Sequence, residues 1–316
     1  MKDVLKLIRW QNLLFLGILL WVMHYWVALP IMRSEGMSVS MPWWMLLLVG
    51  IGVVCIAAGG YVINDYFDIK IDRINRPDRV IVTNAVSKLT AMRMFQVLTL
   101  VGLAFGLTAS YLCSSTSMML IFLLTPGLLW FYSASYKRMF LVGNIIIAFV
   151  AGLVPLLVAL TNVSWLTHCL GDIVMRLPLP RTLYIWLGSF ALFAFLTTLT
   201  REIIKDMQDQ KGDRELECHT LPVVIGDTWT KIIVTLLIVA TMALMAYLWW
   251  SVLPFDRSWH CLSTRYIVFG LIVPFLCELA LLWSAKIPSD YGSAQTLMKF
   301  IMLLGVLYGL VISRLI

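Results

Sequence analysis

In the stretch 64–79, NDYFDIKIDRINRPDR, Asp65, Asp68 and Asp72 crowd together in a chain that is otherwise poor in charge. Asn64, Asp68 and Asp72 recur at intervals of four, and Asp65 stands three before Asp68. On a helix, side chains three and four apart share a face. Such a face offers several hard oxygen donors in one direction, which is the ligand chemistry of Mg²⁺. The spacing D-x-x-D-x-x-x-D-R returns in REIIKDMQDQKGDRE (201–215), as Asp206, Asp209, Asp213 and Arg214. Of the 17 acidic residues, 11 fall in these two regions: Asp65, Asp68, Asp72 and Asp78, then Glu202, Asp206, Asp209, Asp213, Glu215, Glu217 and Asp227. Two facing carboxylate clusters repel each other in a low dielectric unless cations sit between them. Two divalent metals held in this way can clamp a diphosphate. Arg73, Arg76, Arg79, Lys137, Arg201 and Lys205 supply cations for phosphate oxygens. The segment FYSASYKR (131–138) adds Tyr132, Ser133 and Tyr136 as hydrogen-bond donors.

The elements that must position these groups are membrane helices. The 316 residues are 61% hydrophobic and 13% charged, against about 25% charged in a soluble domain. Nine apolar stretches approach the roughly 20 residues a span needs, at about 10–29, 43–63, 94–112, 118–134, 140–161, 183–200, 231–250, 266–285 and 295–313. The N-terminal stretch has no small-residue cleavage site and is read as the first span rather than a cleaved signal. Of the 24 basic residues, 18 lie at the N-terminus and in, or within a few residues of, the connections after spans two, four, six and eight. The positive-inside rule therefore puts the N-terminus and both acid-rich segments in the cytoplasm. A net charge of +7 in so apolar a chain reflects loops facing anionic lipid rather than nucleic acid. The six cysteines show no zinc-ligand spacing. Trp43, Trp44, Trp249 and Trp250 are expected as interfacial anchors, and Pro30, Pro42, Pro126 and Pro155 as helix ends or kinks.

A lipid diphosphate suits this arrangement, with its headgroup on the metals and its tail among the helices. An allylic diphosphate ionises because its cation is delocalised, and metals with Lys and Arg stabilise the leaving diphosphate as charge develops. Aromatic faces stabilise the cation, and the membrane keeps water away from it. An acceptor nucleophile then attacks the first prenyl carbon.

At this point the sequence resembles the UbiA superfamily of intramembrane prenyltransferases over nearly its whole length. NDYFDIKIDRINRPDR is similar to that family's first aspartate-rich motif and KDMQDQKGD to its second. YSASYK, the Val142-Gly143-Asn144 start of span five and TLPVVIG (220–226) are similar to further landmarks. The resemblance implies a single all-α integral-membrane domain over 1–316, with nine transmembrane helices around a central cavity and cytoplasmic cap loops. It implies Mg²⁺-dependent prenyl transfer, with two ions and a location in the cytoplasmic membrane of a prokaryote. It assigns metal binding to Asn64, Asp68, Asp72, Asp206, Asp209 and Asp213. Diphosphate contact falls to Tyr132, Lys137, Arg73 and Lys205. Asp68, Asp206 and Lys137 are the expected catalytic core, and Arg9 with Asn12 matches an R-x-x-N signature beside the acceptor.

The chain departs from the family where R-P-I-x-x-G is usual: Val80 replaces the proline and Asn84 the glycine. Asn accepts a left-handed conformation better than most residues, so Asn84 is expected to preserve the turn. Trp10 stands where R-P-x-N has proline. The form NDYFDxxIDxINRPDR is nearest to the branch that prenylates geranylgeranylglyceryl phosphate, and an aromatic acid of quinone biosynthesis is the alternative acceptor. A divalent-cation transporter would place acids near the bilayer midplane; here they cluster at loop ends. Glu278, the one acid inside a span, is expected to make a helix-packing hydrogen bond or to face a cavity.

Overall fold

A computed structural model describes residues 2–75, 77, 80–251 and 256–316. Arg76, Asp78 and Arg79, for which phosphate or acidic roles are expected above, lie outside the described residues. Helices follow in the order α1 (Lys2–Leu7), α2 (Trp10–Val22), α3 (Leu29–Ser34), α4 (Trp43–Phe67), α5 (Ile69–Asn75), α6 (Lys88–Leu112), α7 (Thr116–Ala134), α8 (Val142–Leu170) and α9 (Leu179–Glu215). Helices α10 (Leu221–Ser251), α11 (Leu262–Arg265), α12 (Val273–Ser284) and α13 (Pro288–Leu315) complete the chain. A π-helical turn, Met23–Ala28, joins α2 to α3, and another, Tyr266–Ile272, joins α11 to α12. Among the described residues, nine helical segments are long and apolar enough to cross a membrane, in the order read from the sequence. In lipid a backbone must satisfy its own polar groups, and helices do so. The prolines fall as expected: Pro42 caps α4, Pro30 lies in the first turn of α3, and Pro126 and Pro155 are inside α7 and α8.

The chain divides into two compact units. The first comprises residues up to Tyr136 together with Leu153–Gly188; the second comprises Lys137–Gly152 and Ser189–Ile316. Unit one has its tightest packing between α4 and α6, where glycines let two backbones approach. A Cβ on Gly106 would meet the Phe122 ring at 2.2 Å, and one on Gly52 would lie 3.1 Å from the Gly106 nitrogen. Small residues at helix crossings allow this approach where lipid offers no hydrophobic drive. Gly106→Ala is therefore expected to cost about 1–3 kcal/mol by overpacking, seen as a lower melting temperature of the detergent-purified protein. Gly127, in α7, has nothing within 4 Å of its would-be Cβ. Gly127→Ala is expected to hold or raise the melting temperature, because Ala is the better helix former.

In unit two, α9, α10, α12 and α13 enclose a core that includes Ile203, Ile204, Met207, Leu221, Phe275, Leu282, Tyr291 and Met298. Glu278 on α12 is fully buried, and neither carboxyl oxygen has a partner among the described residues. The helix-packing hydrogen bond expected for it is not made.

Helix α9 has 37 residues, about 55 Å at 1.5 Å per residue. A hydrocarbon core of roughly 30 Å takes about 20 of them. The polar end, REIIKDMQDQKGDRE, is thus a continuous helical extension of a membrane span.

Candidate active site

In unit one, the first aspartate motif straddles a break. Helix α4 ends at Phe67, and Asp68 adopts φ −87°, ψ 0° before α5 begins. This is the sparsely allowed bridge region, where active-site residues are often found. The hydrogen-bond rhythm nonetheless continues through it. Asp68 N–H donates to the Asn64 carbonyl at 2.9 Å and Asp72 N–H to the Asp68 carbonyl at 2.8 Å. Asn64 is buried, and its Nδ2 donates to Asp68 Oδ2 at 2.8 Å. The amide thereby fixes one carboxylate oxygen. The motif thus lies on two helical segments, α4 and α5, that meet at Asp68 with the i→i−4 bonding carried across the junction.

One turn earlier on α4, the N-terminal signature makes its contacts. Arg9 donates to Asp65 Oδ1 at 2.9 Å and lies over the Tyr61 ring, 4.9 Å from its centroid. Asn12 Nδ2 donates to Tyr61 Oη at 3.3 Å. Partial desolvation opposes the Arg9 charge, but Asp65, with Tyr61 and Asp68, outweighs it and holds the guanidinium pKa above its ordinary value. Arg9 itself is left-handed (φ 52°, ψ 53°), the cap from which α2 starts at Trp10. Proline is favoured at such a first helical position because its missing N–H is unneeded there; Trp10 fills it without delaying the helix. Arg9 and Asn12 thus brace the α4 turn that precedes Asp68.

Downstream, Arg73 donates to Thr83 Oγ1 at 3.3 Å. Thr83 has φ 87°, while Asn84 is not left-handed. The expectation that Asn84 would absorb the left-handed position is corrected: a β-branched residue one position earlier does so. Such a residue at positive φ is an outlier, here bracketed by a Val82–Val86 bridge. Tyr132 is half-buried near the end of α7. Ser133 is buried and donates to the Leu129 carbonyl at 2.8 Å, so its hydroxyl serves its own helix rather than a phosphate.

In unit two, Asp206 accepts from Asn144 Nδ2 at 2.8 Å. Asn144 is buried near the start of α8. Asp209 is half-buried on α9. Asp213 is buried; it accepts from Thr220 Oγ1 at 2.9 Å, and its carbonyl accepts from Cys218 N–H at 2.8 Å. Asp213 thus ties the turn between α9 and α10. His219 N–H donates to the Arg138 carbonyl at 2.8 Å. This bond moors the short turn Tyr136–Arg138, and with it Lys137, to the same connection. Glu202 is buried, pairs with Arg201, and has Lys205 Nζ 3.6 Å from its other oxygen. Gly226 breaks α10 at φ 81°, ψ 168°, a conformation open essentially to glycine alone. The landmark TLPVVIG is therefore a short helical piece ending in a forced change of direction.

Among the described residues, no three His, Cys, Asp or Glu side chains gather closely enough to hold a metal by themselves. The donors present, carboxylates and one amide, are all hard oxygens, which match Mg²⁺.

Residues 36–304 match the UbiA prenyltransferase family. The chain belongs to that family. This UbiA chain is an integral-membrane prenyltransferase. It is similar to the digeranylgeranylglyceryl phosphate synthase of Methanopyrus kandleri, 33% identical over 256 residues that cover 81% of this chain and 82% of that one. Its fold is shared with a UbiA homolog from Aeropyrum pernix K1, at TM-score 0.64 and 16% identity over 92% of this chain and 97% of the other. A UbiA homolog from Archaeoglobus fulgidus, bound to DMAPP and Mg²⁺, matches at TM-score 0.59 and 16% identity, covering 99% of this chain and 100% of that one. The UbiA membership also excludes the cation-transporter alternative. The sequence named the prenyltransferase landmarks but not two of their partners, Asn144 on Asp206 and Tyr61 between Arg9 and Asn12. Asn144 lay within a recognised landmark; nothing marked Tyr61.

Proposed function

We propose that this prenyltransferase moves a polyprenyl group, such as geranylgeranyl, from its diphosphate to geranylgeranylglyceryl phosphate, with two Mg²⁺ ions. The observation that carries the acceptor is the 33% identity to the Methanopyrus kandleri synthase across most of both chains. The metal is supported by the oxygen-only donor sets on the two units, and by the Mg²⁺ bound to the Archaeoglobus fulgidus homolog. Residues 1–316 are read as a single prenyltransferase domain. Unit one offers Asn64, Asp68 and Asp72, and unit two offers Asp206 and Asp209, with Asp213 fixing the end of its helix. When bound, Mg²⁺ neutralises charge on the leaving diphosphate.

The side chains of this chain do the rest. Tyr132, Arg73, Lys137 and Lys205 bind diphosphate oxygens, and the guanidinium is the one that can do so with two nitrogens. The bond from the first prenyl carbon to diphosphate oxygen breaks, and its electron pair leaves with the diphosphate. The acceptor's hydroxyl oxygen bonds to that carbon and gives its proton to the departing diphosphate. Apolar helix faces keep water from the cation. The excess of basic residues at the N-terminus and in or near alternate connections, 18 of 24, supports a cytoplasmic location for the N-terminus and both motifs.

Membranes carrying the protein are to be incubated with labelled geranylgeranyl diphosphate, Mg²⁺ and a panel of acceptors. Label is expected in the diether phosphate made from geranylgeranylglyceryl phosphate. Product from an aromatic acid alone would assign the chain to quinone-type chemistry instead.

A further inference from the structure

Helix α9 carries two more polar groups beside its motif, and the cation expected of Arg201 for the diphosphate is paired with Glu202 instead. Thr198 is 3% exposed, and its Oγ1 has no hydrogen-bond partner among the described residues. Arg201 Nε is likewise buried and unpartnered. Threonines in apolar helices normally return the hydroxyl to the carbonyl four residues back. Thr197 and Thr200 on α9 do so, as do Thr230 and Thr241 on α10. Thr198 does not.

The helical geometry gives these groups a common direction. At 100° per residue, Thr198, Arg201, Lys205, Asp206 and Asp209 fall within an arc of about 140°. At 1.5 Å per residue, Arg201 and Thr198 precede Asp206 by about 7 and 12 Å along the axis, toward the apolar part of α9. Arg201 is held by its terminal nitrogen to Glu202, which is itself 5% exposed. That pairing fixes the guanidinium and leaves Nε–H as an unused donor. A hydroxyl and a cationic N–H, one turn apart on one face, make a site for an anionic oxygen.

We propose that Thr198 Oγ1 and Arg201 Nε bind a phosphate oxygen of the acceptor, and so set the preference for a phosphorylated acceptor. This rests on the acceptor reading above. Both substrates carry phosphate oxygens, but the carboxylate motifs take those of the diphosphate. The prenyl carbon leaves the diphosphate on the hydrocarbon side, and the acceptor must meet it there. The polar groups next along α9 in that direction are Glu202, whose carboxylate is taken up by Arg201 and Lys205, and then Arg201 and Thr198.

The test is Thr198→Val, which removes the hydroxyl at nearly constant shape. KM for geranylgeranylglyceryl phosphate is expected to rise about 10- to 100-fold, as for loss of a hydrogen bond to a charged group. KM for geranylgeranyl diphosphate is expected to stay unchanged. The preference for the acceptor over its dephosphorylated analogue falls by the same factor. Thr198→Ser restores both quantities, and Arg201→Lys, which keeps charge but loses Nε–H, shifts them as Thr198→Val does. Unchanged kinetics in Thr198→Val, or a rise confined to KM for the diphosphate, overturns the proposal while leaving the acceptor reading intact. A wild-type protein that makes no product from geranylgeranylglyceryl phosphate defeats both.

Discussion

Asp68→Ala and Asp206→Ala are each expected to cut Mg²⁺-dependent prenyl transfer in membranes by about 10³-fold or more, from several kcal/mol of lost charge stabilisation. The two residues stand on different units but in equivalent settings: each is oriented by an asparagine amide at 2.8 Å, Asn64 for Asp68 and Asn144 for Asp206. Removal of either carboxylate takes away the negative charge that a divalent cation needs and leaves its asparagine donor without its acceptor. Asp68→Asn and Asp206→Asn keep the shape and lose the charge, and are expected to be nearly as inactive. If turnover in either alanine variant matched wild type at saturating Mg²⁺, the metal-clamp mechanism would be abandoned. Chelation of Mg²⁺ is the companion measurement: activity is expected to vanish with chelator and return with added metal.

Asn144→Leu is expected to lower activity about 10- to 100-fold, the usual effect of losing a group that orients a metal ligand. The informative readout is the Mg²⁺ concentration at half-maximal rate, which should move upward. A role in packing alone would reduce the amount of folded protein without moving that midpoint. Asn144→Asp places a second carboxylate against Asp206 and should be worse than Asn144→Leu at low Mg²⁺, because like charges at hydrogen-bond distance disfavour ionisation of both.

The helical spans and both carboxylate sets were legible because their signals are local. Runs of apolar residues of the right length specify membrane helices wherever they occur, and D-x-x-D-x-x-x-D-R declares itself by spacing. Interactions between distant positions leave no such trace. Arg9 meets Asp65 across 56 positions and Asn144 meets Asp206 across 62; nothing in either neighbourhood names the other. Local conformation was misjudged where two residue types compete. Asn84 is the better left-handed residue by propensity, yet Thr83 takes the strain, because the contacts of the Val82–Val86 turn override a preference of about 1–2 kcal/mol. The aspartate spacing is that of a helix face, and the helical hydrogen bonding does run through the motif, but Asp68 itself leaves helical geometry, which spacing does not reveal. Asp213 shares the motif spacing, but its hydrogen bonds to the following turn give it a tying role that spacing alone does not reveal.

The unbroken course of α9 through Asp206 makes the second motif intolerant of changes in length. A residue added or lost within the apolar part of α9 would rotate everything beyond it by about 100° and shift it by about 1.5 Å. Asp206 would swing away from Asn144, and Thr198, if it lay before the change, would part from the carboxylate face. A one-residue insertion or deletion in the apolar part of α9 is therefore expected to abolish activity, whereas added residues in the connections between spans leave the Asp206–Asn144 register untouched.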